Sequence, residues 1–155
     1  MSPPRKVVRP AAAASLKIQI DGAARGNPGP AGAGVVISDL KGKPLKELAV
    51  YLGETTNNVA ETCALILALQ EALRSGSRRV SVFTDSELLA RQVTSVYRVK
   101  DRQLQSLHAL IRHLTEMFDR FEIRHLPREQ NRAADRLANR AVTEGLRGQL
   151  TLFSD

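Results

Sequence analysis

Apolar residues recur at period two in the first third of the chain and at helical spacing through most of the remainder. Leu16, Ile18 and Ile20 alternate with Lys17 and Gln19, the pattern of a half-buried strand that ends at Asp21, where the chain turns. Residues 32–38 and 45–52 read as two further strands separated by the turn at residues 39–44, so the opening third predicts an antiparallel meander. Between the first two strands, Gly26-Asn27-Pro28-Gly29-Pro30 predicts a tight connection, because its glycines admit positive φ and its prolines fix theirs.

The period then changes. After Thr55-Thr56-Asn57-Asn58, the run VAETCALILALQEALRSG predicts a largely buried helix closed by Gly76, with Asn58 as N-cap and Glu61 completing an arrangement like a capping box. Residues 79–84 form a fourth strand with Asp85 at its end, and Asp85-Ser86 opens a helix over 87–95. Residues 101–119 predict a long helix with Leu104, Leu107, Ile111 and Leu114 on its apolar face, and His108 and His113 as packing or surface residues. Residues 121–126 give the fifth strand and 132–143 the last helix. Strand, helix and strand in succession after a meander predict parallel crossovers, hence an α/β fold whose five-stranded mixed sheet is flanked by helices. No internal repeat or second domain breaks this pattern. Residues 1–15 read as a disordered basic tail, 16–145 as the folded domain and 146–155 as a C-terminal tail.

Composition narrows the partners. The chain has 155 residues, 43% of them hydrophobic, enough for one domain with a sizeable core, and no run approaches the roughly 18 apolar residues of a membrane span. Its net charge of +7 favours an anionic partner, most simply nucleic acid. Three of the seven charges, Arg5, Lys6 and Arg9, lie in the N-terminal stretch, which leaves +4 on the remainder. Arg128, Arg132, Arg136 and Arg140 recur every four residues, a stripe along one helix face that reads first as a solvated surface. The single cysteine, Cys63, excludes an internal disulfide and a multi-cysteine zinc site, as expected of a cytoplasmic protein. No obligate protein partner is implied, and a monomer is expected.

Four acids fall where elements begin or end: Asp21, Glu61, Asp85 and Asp135. Each has an ordinary structural use, as a turn or cap residue. In an open sheet with crossover helices, however, strand ends and helix starts converge on one edge, where ligands bind. Four converging carboxylates repel, and hard divalent cations relieve the repulsion. An oxygen-only donor set selects Mg²⁺ or Mn²⁺ over zinc. Two such ions about 3.5–4 Å apart serve displacement at phosphorus, which matches the basic charge of the chain.

At these acids the sequence resembles the type 1 ribonucleases H. The resemblance runs from about Leu16 to Ala141 and rests on IDGAARGNPGPAGAG, TTNNVAE, VFTDSELL and REQNRAADRLAN, each weak alone and specific in this order. It implies the ribonuclease H-like fold, with 16–145 as the catalytic domain, and cleavage of the RNA strand of RNA–DNA hybrids to leave 5′-phosphate and 3′-hydroxyl ends. Asp21, Glu61, Asp85 and Asp135 would be the metal ligands, holding two Mg²⁺ or Mn²⁺ ions once substrate is bound. Asp21 and Asp135 would serve the ion that activates water, and Asp21, Glu61 and Asp85 the ion facing the leaving 3′ oxygen. Gly26 in the glycine-rich turn, with Asn27, Asn57 and Asn58, would line the groove for the hybrid, and Thr56 would bind a phosphate of the DNA strand. Short amides and hydroxyls beside glycines suit reading of shape and 2′-OH rather than of bases.

The chain departs from the best-known bacterial pattern in three places. Residues 95–100 lead directly into the next helix, so the basic tryptophan-bearing protrusion is expected to be missing, as in short archaeal-type and related bacterial members. The N-terminal stretch is too short for the hybrid-binding domain of some members. Before the last aspartate stands Leu126-Pro127-Arg128-Glu129-Gln130, a shorter loop than the histidine-bearing one of the pattern. His125 matches the family histidine by count but falls in the expected strand, which leaves Arg128 or Glu129 for the loop's role in handling product or the outer ion. Two alternatives stay open: another nuclease or a transposase-like enzyme of the same fold, and a catalytically silent module that only binds the hybrid.

Overall fold

The computed structural model describes the backbone of residues 14–153 and the side chains of residues 14–148; the basic N-terminal segment at residues 1–13 lies outside the described residues. Five strands, β1 (Ser15–Ala24), β2 (Gly29–Asp39), β3 (Pro44–Thr55), β4 (Arg79–Thr84) and β5 (Arg120–His125), form one sheet in the order β3-β2-β1-β4-β5. The β1, β2 and β3 strands pair antiparallel, whereas β4 runs parallel to both β1 and β5. This is the mixed sheet expected from the change of period.

Side chains of β2 divide the molecule into layers. Ala33, Val35 and Ile37 join Leu16, Ile18 and Ile20 in a core shared with Ala64, Leu65, Ala68 and Leu69 of α1 (Asn57–Arg74), Leu89 of α2 (Glu87–Val93) and Ile111 of α3 (Arg102–Thr115). On the opposite face Val36 packs with Ala134 and Leu137 of α4 (Arg132–Phe153). Gly32 and Gly34 permit that packing, because a Cβ on Gly34 would stand 2.2 Å from the Ala134 carbonyl oxygen and one on Gly32 2.5 Å from that of Ala138. A single 3-10 turn, Arg128–Gln130, links β5 to α4.

Several boundaries differ from expectation for identifiable reasons. Asp21 does not end its strand: β1 continues to Ala24 through its pairing with β2, while pairing with β4 stops at Ile20 opposite Thr84. Asp21 is thus the first residue of β1 beyond the parallel neighbour, where one side of the strand is open. The N-cap of α1 is Thr56, not Asn58: its backbone is extended and its hydroxyl accepts from the Val59 amide at 3.2 Å. Glu61 then lies in the second turn, too far along to complete a capping box. The helix over 101–119 starts one residue later, with Asp101 as its cap, and stops at Thr115. The last helix does not end at Thr143 but continues to Phe153, so the expected tail at 146–155 is helical backbone as far as it is described. The stripe of four arginines is broken, since Arg128 belongs to the 3-10 turn and only Arg132, Arg136 and Arg140 lie on α4.

Candidate active site

Gly22 sets the geometry of the site. It follows Asp21 on the face that packs against α1, and a Cβ there would lie 2.3 Å from the Glu61 amide nitrogen. Only a bare backbone lets the second turn of α1 approach the strand this closely. Asp85 arrives from the end of β4, where Ser86 takes the cap of α2 by accepting from the Leu89 amide. One carboxylate oxygen each from Asp21, Glu61 and Asp85 lies within 4.8 Å of the others. Asp135, in the first turn of α4, lines the same cavity of about 350 Å³ with Asn57, Arg128 and Asn139.

The start of α4 is held by residues the motif reading did not single out. Asn131, fully buried, donates from its side-chain amide to the Ile20 carbonyl at 2.8 Å, and its own carbonyl accepts from the Asp135 amide at 3.1 Å. Gln19 donates to the Gln130 carbonyl at 2.9 Å. Both contacts tie the turn before α4 to the strand that carries Asp21. Asn139 donates to the Asp135 carboxylate at 3.2 Å and fixes its direction. Arg25 reaches from the β1–β2 turn to the Asn139 carbonyl and the Thr143 hydroxyl. None of these contacts follows an element-forming period; REQN and RLAN contained the residues without marking their partners.

The electrostatics are those of an uncompensated acidic cluster. Asp21 is buried at 6% exposure, and its pKa is pushed up to about 8 by that burial first, then by Asp85, a carboxyl–carboxyl hydrogen bond with Asp135, the charge of Asp135 and that of Glu61. Glu61 is pushed up to about 7 by burial and Asp85, against the opposing pull of hydrogen bonds from Ser86 and Asn57. Buried carboxylates without internal cations are costly. An all-oxygen set that repels itself and opens to solvent on one side suits a hard divalent cation, and Asp21, Glu61 and Asp85 could hold one.

The remaining expected residues divide. Asn27 accepts from the Asn57 amide at 3.1 Å, and Asn57 donates to Glu61 at 3.2 Å, so the glycine-rich turn, the start of α1 and the acids form one connected rim. Gly26, at φ +105°, makes the bend in that turn. Thr56 spends its hydroxyl as a cap acceptor, and the Asn58 side-chain oxygen is buried without a partner among the described residues. Arg128 lines the acidic cavity, whereas Glu129 lines only a neighbouring one. His125 ends β5 opposite Thr84, is exposed, and is absent from the lining of either cavity. Only residues 94–101 separate α2 from α3, and no helical protrusion stands there.

Comparison with known proteins agrees with this geometry. Residues 19–141 match the family described as reverse transcriptase-like. Ribonuclease HI of Halobacterium salinarum is 38% identical over 138 residues, covering 89% of this chain and 69% of the relative. The crystal structure of RNase H1 from the same archaeon matches with a TM-score of 0.82, over 84% of this chain and 98% of that one. LC11-RNase H1, solved in complex with RNA/DNA hybrid, is 46% identical with a TM-score of 0.81, over 84% of this chain and 99% of that one. A bifunctional protein of Mycobacterium tuberculosis is 39% identical over 126 residues, of which this chain spans about a third, 35% of that protein's length. A shared fold, 38% identity over most of the chain and a family match over residues 19–141 have one explanation: the chain belongs to the type 1 ribonuclease H family.

Proposed function

We propose that the protein is an endonuclease that hydrolyses the RNA strand of RNA–DNA hybrids, with Asp21, Glu61, Asp85 and Asp135 as its metal ligands. The observation that carries this reading is the gathering of the Asp21, Glu61 and Asp85 carboxylates within 4.8 Å, in a chain of net charge +7 whose relatives include an RNase H1 bound to RNA/DNA hybrid. Two Mg²⁺ or Mn²⁺ ions, when bound with substrate, would supply the electrophilic stabilisation that displacement at phosphorus needs. Asp21, central to the cluster, is the side chain proposed to serve both. Asn139 keeps Asp135 aimed into the site, and Arg128 is the cation in the wall best placed to meet a phosphate oxygen. Products would carry 5′-phosphate and 3′-hydroxyl ends.

Discrimination of RNA from DNA falls to the rim. Gly26, Asn27, Thr56, Asn57 and Asn58 are proposed to face the hybrid. Asn57 connects directly to Glu61, so a ribose hydroxyl met by Asn57 is registered at the acids themselves. The domain proposed to do this covers residues 16–145, and α4 extends beyond it. A reducing cytoplasm is the proposed setting.

A hybrid whose RNA strand carries one deoxynucleotide should be cut poorly at the positions where the missing hydroxyl would have met this rim. A single ribonucleotide in a DNA duplex should be a poor substrate, while a run of about four or more is cut. Gel analysis of end-labelled strands reads both. Indifference to hydroxyl removal would move the protein to a general nuclease of the same fold.

A further inference from the structure

Beside the acidic cavity, and sharing Asp135 and Arg128 with it, lies a second and larger one of about 660 Å³ whose wall is Arg128, Glu129, Arg132, Asp135 and Arg136. Three arginines line one concavity. Among the described residues none of the three makes an ion pair or a side-chain hydrogen bond; the ion pairs of that helix and its surroundings involve Arg140 with Glu144 and Arg124 with Glu122. Unpaired arginines on an isolated helix face are ordinary. Here the carboxylates available in the wall do not pair with them: Asp135 is engaged by Asn139 and by Asp21, and Glu129 has no cationic partner.

We propose that Arg132 and Arg136 form a subsite for a phosphodiester of the nucleic acid, on the far side of Asp135 from Asp21 and beyond the phosphate being cut. The inference rests on the reading of the substrate as nucleic acid and extends it. A guanidinium offers planar donors matched to two phosphate oxygens, and two arginines four residues apart on one helix present both forks to the same groove. Asp135 and Arg128 belong to the walls of both cavities, so a strand leaving the acids on this side passes the arginines. With no protrusion between α2 and α3 to grip the duplex, this subsite supplies grip next to the chemistry instead.

The test measures hybrid binding in EDTA across a range of salt, together with steady-state cleavage in Mg²⁺, for the full chain and for Arg132→Ala/Arg136→Ala. The slope of log Kd against log salt should become shallower by about 1, since the one phosphate neutralised there contributes about 0.9. KM should rise about tenfold with kcat within about twofold, as for loss of ground-state binding. Arg140→Ala, on the same helix but paired with Glu144 and outside the cavity, should change neither. Arg132→Lys/Arg136→Lys should retain most of the slope and less of the affinity, because lysine keeps charge without the fork. An unchanged slope, or an equal loss in Arg140→Ala, would overturn the subsite in favour of diffuse surface charge. Binding in EDTA does not depend on cleavage: a hybrid that is bound with the predicted slope difference but never cut overturns only the functional reading.

Discussion

Asp21 is expensive to keep without a cation, and that cost is measurable apart from catalysis. Its folded-state pKa of about 8 lies above the ordinary 3.8, so the folded protein holds this proton more tightly than the unfolded chain does. The stability contributed by the group is complete below about pH 4 and is lost as pH rises through about 8. Glu61 acts in the same direction between the ordinary 4.5 and about 7. Thermal melts in EDTA should therefore give a higher Tm at pH 5 than at pH 8. Asp21→Asn should flatten that dependence and raise Tm at pH 8, on the order of 5 °C for about 1–2 kcal/mol in a domain of this size, while abolishing cleavage. Saturating Mg²⁺ should raise the wild-type Tm most at the alkaline end. A wild-type Tm that rises from pH 5 to pH 8 in EDTA would contradict the buried, mutually repelling cluster.

At the scale of elements, the strand β1 and the helix α1 depend on one missing side chain. Gly22→Ala would place a Cβ 2.3 Å from the Glu61 amide, against backbone that cannot rotate away. The helix must shift, at a cost of about 1–3 kcal/mol for overpacking or more. The Glu61 carboxylate would move with it, so activity should fall well beyond what the loss of folded protein explains. Circular dichroism beside kcat separates the two, and a variant as active per folded molecule as wild type would show that the close approach does not position Glu61. Gly22 illustrates what the chain did and did not reveal. The alternation of Leu16, Ile18 and Ile20 announces a strand because both ends of the pattern are local, and Asp21 stands out at its edge. The contact of Gly22 with α1 joins residues thirty-nine positions apart, and a glycine after an aspartate reads locally as a turn. The cap of α1 is ambiguous in the sequence for a related reason: Thr56, Asn57 and Asn58 are all good cap residues, and only backbone conformation selects Thr56. Moving the cap frees Glu61 from a capping role and turns it toward Asp21 and Asp85. Asn131 was equally silent, because its value lies in the Ile20 carbonyl that it reaches across 111 residues of chain.

At the scale of the whole molecule, topology explains why four acids from distant segments meet. The sheet changes from antiparallel to parallel pairing at β1, and Asp21 lies just past the last pairing with β4, where Asp85 also emerges. The two faces of the sheet then contribute one acid each, Glu61 from α1 and Asp135 from α4. Charge completes the arrangement: a basic protein suits a polyanion at its surface, and the acidic centre within it could hold a metal ion. Digestion of end-labelled RNA–DNA hybrid, RNA duplex and DNA duplex side by side, each in Mg²⁺ and in excess EDTA, tests this account most directly. The RNA strand of the hybrid should be cut in Mg²⁺ to leave 5′-phosphate and 3′-hydroxyl ends, with no cutting in EDTA and an intact DNA duplex. Full activity in EDTA, or DNA duplex cut as readily as hybrid, would contradict it.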